Sequence, residues 1–249
     1  MTLSFKNTNR YPQPTAHDPI EMLFENVYWV HGSVRVGPGM IMNRNMLIVK
    51  SAKQLTLINP VRLNNEEEKK LLALGDITVV MRLGDFHGLD DQYYVDKFNA
   101  QFWCQQGQST YKTPVADTII SEGTQPNIPN SQFFIFSSAI YPEAALLLKD
   151  CGLLITTDSI QYLSDWSYTT AFTKLMLKLM GFKLGLIIGK PWIKRVTPKG
   201  GSLLNDFEAL LKLDFKHIVA AHGTPLKNSA KEQLQHTVGK TFKQYAPLK

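Results

Sequence analysis

Between Asp85 and Asp91 the sequence Asp-Phe-His-Gly-Leu-Asp-Asp puts three carboxylates and one imidazole within seven residues. These are the side-chain types that bind divalent cations, and Gly84 and Gly88 give the backbone the freedom that a tight loop needs. Just upstream, Ile77 to Met81 is apolar and β-branched, as a buried strand should be, so the loop is expected at the end of a strand. Two further apolar runs end in the same way. Gly152-Leu153-Leu154-Ile155-Thr156-Thr157 leads to Asp158, and Ile218-Val219-Ala220-Ala221 delivers His222 into Gly223-Thr224-Pro225. Each residue also has a structural alternative. His87 could be a loop imidazole bonded to backbone, Asp158 a helix N-cap, His222 a satisfied buried histidine, and the whole 85–91 stretch a solvated turn.

The elements that would position these residues are legible in outline. Asn26 to Val30 reads as a strand, and the glycines at 32, 37 and 39 read as a flexible connection. Asn45–Val49 and Leu55–Ile58 form a hairpin around the longer turn Lys50 to Gln54. Glu66 to Leu74 is a helix with three glutamates at its positive end. Asp91 to Phe98 is expected as a helix and Ala100 to Cys104 as a strand. The polar, proline-punctuated stretch from Gln105 to Asn130 is expected as loop, and Gln132 to Phe136 as a strand. Leu203 to Leu213 has the apolar spacing of an amphipathic helix, and the chain closes in a polar helix from Ser229 to Gln244.

With 249 residues, 44% of them apolar, the chain can bury a large core, and residues 1–249 are read as a single domain. Its net charge of +6 is concentrated: residues 166–205 hold seven basic side chains and no acidic one. Such a block attracts anionic small molecules or lipid headgroups, or is simply a solvated lysine face; nucleic acid is not the expected partner. Cys104 and Cys151 have neither metal-site nor disulfide spacing. The start, Met1 to His17, has no signal-peptide pattern, which leads to the expectation of a cytoplasmic protein. Gly185 to Pro191 has three residues between its glycines where a phosphate loop has four, and no G-x-S-x-G elbow is present.

The order of these strands and strand-end residues resembles the metallo-β-lactamase superfamily, from about Asn26 to Pro225. Asn45 to Val49 followed by Leu57-Ile58-Asn59-Pro60 is similar to its opening strands. The loop after Ile77 to Val80 stands where the family carries H-x-H-x-D-H. The strand ending at Asp158 and the strand ending at His222-Gly223 are similar to those that supply its bridging Asp and its final His. The resemblance implies an αβ/βα sandwich, two mixed β-sheets face to face with helices outside and the site at one edge. It also implies that His87, Asp90, Asp91, Asp158 and His222 are the candidate ligands of one divalent ion (Zn, Mn or Fe), with Asp90 or Asp91 orienting a nucleophile.

The departures leave alternatives open. If the motif's Asp-His falls on Asp90-Asp91, its earlier histidines are Phe86 and Gly88; if its second His is His87, Asp85 and Asp90 replace the other histidines and Leu89 the Asp. Ile140 stands at the family's middle His, and Asn59 at its opening Asp. Two functions follow: a metal-dependent hydrolase of an ester, thioester or phosphoester, or a degenerate member serving as a binding module. A basic, apolar insertion is expected from Trp166 to Lys199. Its Phe172, Leu175, Met176, Leu179 and Met180 either pack on the core or form a lid or peripheral membrane contact favouring an anionic or acyl-bearing substrate.

Overall fold

The computed structural model describes residues 11–242, so residues 1–10 of the N-terminal reading and the last two of the expected final helix lie outside it. Among the described residues, the first sheet is built from β1 (Glu21–Phe24), β2 (Val27–Gly37), β3 (Met40–Ser51), β4 (Gln54–Ile58), β5 (Asp76–Arg82), β6 (Gln101–Cys104) and β7 (Thr118–Ile119), which lie side by side in chain order. The first four pair antiparallel and the rest parallel. Two of the three parallel crossovers are helices, α1 (Asn65–Leu74) between β4 and β5 and α2 (Asp91–Phe98) between β5 and β6, and the third, between β6 and β7, is a loop.

The second sheet has the order β13-β10-β9-β8, with β8 (Ser131–Ile135), β9 (Ala144–Leu148), β10 (Leu153–Ile155) and β13 (His217–Val219). The pair β11 (Ile160–Leu163) and β12 (Gly185–Ile188) joins its edge through a bridge between Tyr162 and Gly223. The remaining helices are α3 (Ala171–Leu179), α4 (Lys190–Val196), α5 (Leu204–Leu210) and α6 (Ala230–Thr241).

Side-chain alternation along the strands sorts the core into three apolar layers. Leu47 and Val49 of β3 and Met81 of β5 meet Leu146, Leu148, Leu153 and Ile155 between the sheets. Their neighbours Met46, Ile48 and Val80 face outward and pack under Leu71 of α1 and Tyr94 of α2. On the far side, Leu147, Leu154 and Ile218 pack under Trp192, Phe207, Leu234 and Val238 of α4, α5 and α6. This is the αβ/βα sandwich expected from the sequence.

Local expectations needed correction where pairing overrode composition. Gly32 and Gly37 lie inside β2 rather than in a flexible connection, because β2 and β3 pair from Val27 to Gly37, with one register shift between Arg35 and Gly37. A Cβ on Gly32 would stand 2.9 Å from that of His17, so this glycine admits a close chain crossing. The β3–β4 turn is also tighter than read, since Ser51 already pairs with Gln54. Strand β9 was not foreseen: every residue of Ala-Ala-Leu-Leu-Leu is buried, so the sequence shows no polar alternation there. The segment 166–199 is not one peripheral unit, because Leu186, Ile188, Trp192 and Val196 belong to the outer core of the second sheet.

Candidate metal centre

His222 is held by the opposite sheet. Asn45 on β3 donates from Nδ2 to the carbonyls of Ala220 and Gly223, each at 2.9 Å, and its backbone N–H donates to Ala221 at 2.8 Å. Asn43 accepts from the Gly223 N–H at 2.8 Å, and its carbonyl accepts from His222 Nδ1 at 2.6 Å. That last bond fixes the tautomer, with the proton on Nδ1 and the Nε2 lone pair free to bind. Gly223 has φ +83°, and a Cβ there would lie 1.9 Å from the Tyr162 carbonyl oxygen, so no other residue fits. The Asp158 turn is tied to the same place, as Thr156 N–H donates to Val219 at 3.0 Å and Ala221 N–H to Thr156 at 3.1 Å.

The structure brings His87, Asp158 and His222 together, with one ligand-type atom from each inside 4.8 Å of the others. His87 Nε2 lies 3.1 Å from Asp158 Oδ2, and His222 Nε2 lies 3.5 Å from Asp158 Oδ1. Tetrahedral ligands with bonds of about 2.0–2.2 Å stand roughly 3.4 Å apart; the two imidazoles approach different oxygens of Asp158, and one ligand atom of each residue lies inside 4.8 Å of the others, close enough to converge on one ion. Gln161 orients the carboxylate through Nε2, 3.0 Å from Oδ1. Burial pushes the His222 imidazole down to about 4 against the pull of the Asp158 charge, which leaves it in the neutral, ligating form at pH 7. Burial would raise Asp158, but His87 and His222 outweigh it and hold the carboxyl below its ordinary value. Two imidazoles and one carboxylate are a donor set that zinc and ferrous iron both accept.

The other acids of the 85–91 loop go elsewhere. Asp90 pairs with Arg44 at 3.0 Å and accepts from the Arg62 N–H, and Asp91 pairs with Arg82 at 2.6 Å. Neither joins the cluster. Asp85 accepts from both the backbone and hydroxyls of Ser109 and Thr110; burial raises this carboxyl, and those bonds more than compensate, leaving it below the usual range. The Arg82 guanidinium, fully buried, also donates to the carbonyls of Tyr111 at 2.8 Å and Thr113 at 2.9 Å. A Cβ on Gly88 would come within 2.5 Å of Arg82 Nη2, which explains the glycine beside His87. Three carboxylates of similar type therefore fasten the loops around the one imidazole that reaches the cluster. Burial pushes the Cys104 thiol up to about 11, as expected of an inert core cysteine.

Glu143 was missed from the sequence, where attention fell on Ile140, which stands exposed. The Glu143 carboxyl is buried behind Asp158: its Oε1 accepts from the Thr157 hydroxyl and, at 3.0 Å, from the Ser159 N–H, while Oε2 has no partner. Burial and then the Asp158 charge push it up to about 8 from 4.5. A folded-state value above the unfolded one means that the native fold resists ionisation. The resulting destabilisation is absent below about 4.5, grows as pH rises and levels off above about 8. In ion-free protein Glu143→Gln should therefore gain stability relative to the parent between pH 5 and 9, by about 2–4 °C in Tm per kcal/mol recovered. Parallel Tm curves for the two proteins across that range would contradict this assignment.

The segment after β11 packs beside His222. Trp166, Thr169, Leu177 and Phe182 line a small cavity together with Asn43, Gln161 and His222. The exposed Arg195 lies over the rings of Phe86, the residue before His87, and Tyr141, at 4.5 and 5.1 Å.

No family model matches the sequence, and no curated protein matches it. Solved structures do match. The metallo-β-lactamase FIM-1 from Pseudomonas aeruginosa, in a mono-zinc form, is similar at a TM-score of 0.64 and 10% identity, over 92% of this chain and 98% of that one. The DIM-1 metallo-β-lactamase gives 0.65 at 8% identity, over 92% and 100%. An enzyme from Pontibacter korlensis described as a metallo-β-lactamase gives 0.61 at 12%, over 88% and 98%. At such identities the likeness is one of fold, and it extends over nearly the whole of each relative. With its two facing mixed sheets, its outer helices and its strand-end cluster of His87, Asp158 and His222, the chain has the metallo-β-lactamase fold.

Proposed function

We propose that the protein is a metal-dependent hydrolase that holds one divalent cation, zinc, between His87, Asp158 and His222, and acts on an ester, thioester or phosphoester of a small molecule. The observation that carries this reading is the convergence of two imidazoles and one carboxylate, close enough to meet on a single ion. When bound, such an ion supplies Lewis acidity, polarising a carbonyl or phosphoryl oxygen and making water a nucleophile near neutral pH.

The chain's own residues do the rest. His222 presents Nε2 because Asn43 holds its other nitrogen, and Gln161 sets the plane of Asp158. Trp166, Leu177 and Phe182 pack beside His222 and keep bulk water from that side. Arg195, exposed beside Phe86, the neighbour of His87, suits an anionic portion of the substrate. Asp90, expected to orient the nucleophile, is engaged with Arg44 and takes no part.

The test is hydrolysis of an aryl ester, an acyl thioester and an aryl phosphodiester by chelator-treated protein, before and after addition of Zn, Mn or Fe. Turnover of one substrate class that returns with metal and is absent in Asp158→Ala supports the proposal. Protein that takes up one ion per chain yet hydrolyses none of the three would be a binding module.

A further inference from the structure

Helix α3 turns its apolar side away from the protein. Only Thr173 of this helix is buried, with Leu177 half-buried beneath it. Phe172, Leu175, Met176 and Leu179, spaced i, i+3, i+4, i+7 on one stripe, are 57, 56, 37 and 75% exposed, and Met180 and Leu184 continue the patch. Of the twelve exposed large apolar residues among the described ones, these six fall within 172–184, so the patch is a concentration rather than ordinary scatter. Lys174 and Lys178 run along one edge of the stripe and Lys183 follows it. The core-packing alternative for these apolar residues is thus not what the fold adopts.

We infer that α3 docks the protein on an anionic lipid surface, its apolar stripe entering the headgroup boundary and its lysines meeting the phosphates. A helix with one apolar side and a lysine-flanked edge is built for that boundary. Residues 166–205 contain seven basic side chains and no acidic one, which complements an anionic surface. A second copy of the chain fits poorly, because a twofold contact sets the same lysine-edged patch against itself. The opposite side of α3 carries Leu177, which lines the cavity beside His222. Docking therefore leaves His222 behind this helix, on the side away from the lipid. Access of an acyl-bearing ester from the bilayer to the metal centre rests on the hydrolase reading; the docking does not.

Co-sedimentation with phosphatidylcholine vesicles, with and without phosphatidylserine, separates the outcomes. The parent protein should pellet with the anionic vesicles and release with added salt. Leu175→Glu/Leu179→Glu should lose at least about tenfold in binding to them. Lys178→Glu/Lys183→Glu should lose about five-fold for each lysine. Melting temperature and metal content of both variants should match the parent, since all four side chains are exposed, Lys178 with its ammonium 5.9 Å from the centre of the Trp166 ring. Absence of binding, or equal salt-insensitive binding to neutral and anionic vesicles, would overturn the inference. So would a concentration-dependent dimer that Leu175→Glu/Leu179→Glu abolishes while vesicles bind neither protein. Vesicle binding by protein that holds no metal would sink the hydrolase reading alone.

Discussion

Asp158→Ala should lower metal affinity by more than about a hundredfold, beyond the 10–100-fold that loss of an outer-shell partner costs. Asp158 is the one carboxylate of the cluster and reaches both imidazoles, with Oδ2 toward His87 and Oδ1 toward His222. Removing it leaves two imidazoles whose ring centroids are 5.0 Å apart, a pair short of the three protein ligands a catalytic zinc ordinarily has. Gln161→Ala, which removes the hydrogen bonds to Oδ1 and to the Asp158 carbonyl but no ligand atom, should cost about 10–100-fold. Calorimetric titration with zinc checks both. Equal affinity of Asp158→Ala and the parent would mean that the ion sits elsewhere.

A second large effect concerns stability. Arg82→Met should destabilise the fold by about 3–5 kcal/mol, the loss expected when one partner of a buried ion pair is removed and the other is left charged. Arg82 and Asp91 are both fully buried, and the same guanidinium anchors the 111–113 loop. At about 2–4 °C per kcal/mol the melting temperature should fall by roughly 6–20 °C. Adding Asp91→Leu should recover part of that loss, because the stranded carboxylate is then gone. A single Arg82→Met variant melting within about 2 °C of the parent would show that the pair contributes little.

The positions of the site were legible in the sequence because strand ends are. A β-branched apolar run that stops at a polar residue marks where a strand leaves the core, and His87, Asp158 and His222 each follow such a run. Which acids of the 85–91 loop would turn inward was not legible. Asp90 and Asp91 have the side chain of a ligand, yet their direction is set by Arg44, 46 residues away, and by Arg82, whose place in an apolar strand gave no hint of its burial. Asn45 stood in a strand similar to the family's opening one, and nothing in the sequence marked Asn43; their work of clamping the His222 turn appears only when the first sheet meets the last strand. Glu143 was hidden because its partners, Thr157 and Ser159, are ordinary residues of a distant turn. The periodicity of α3 gave a helix with an apolar stripe, but periodicity cannot say which side of a helix the protein covers.

The central claim, that His87, Asp158 and His222 form one metal centre, is tested most directly by metal content. Protein purified without chelator and dialysed against zinc should hold one ion per chain, lost in His222→Ala and retained in Asp90→Asn. Sub-stoichiometric metal that His222→Ala leaves unchanged would contradict it.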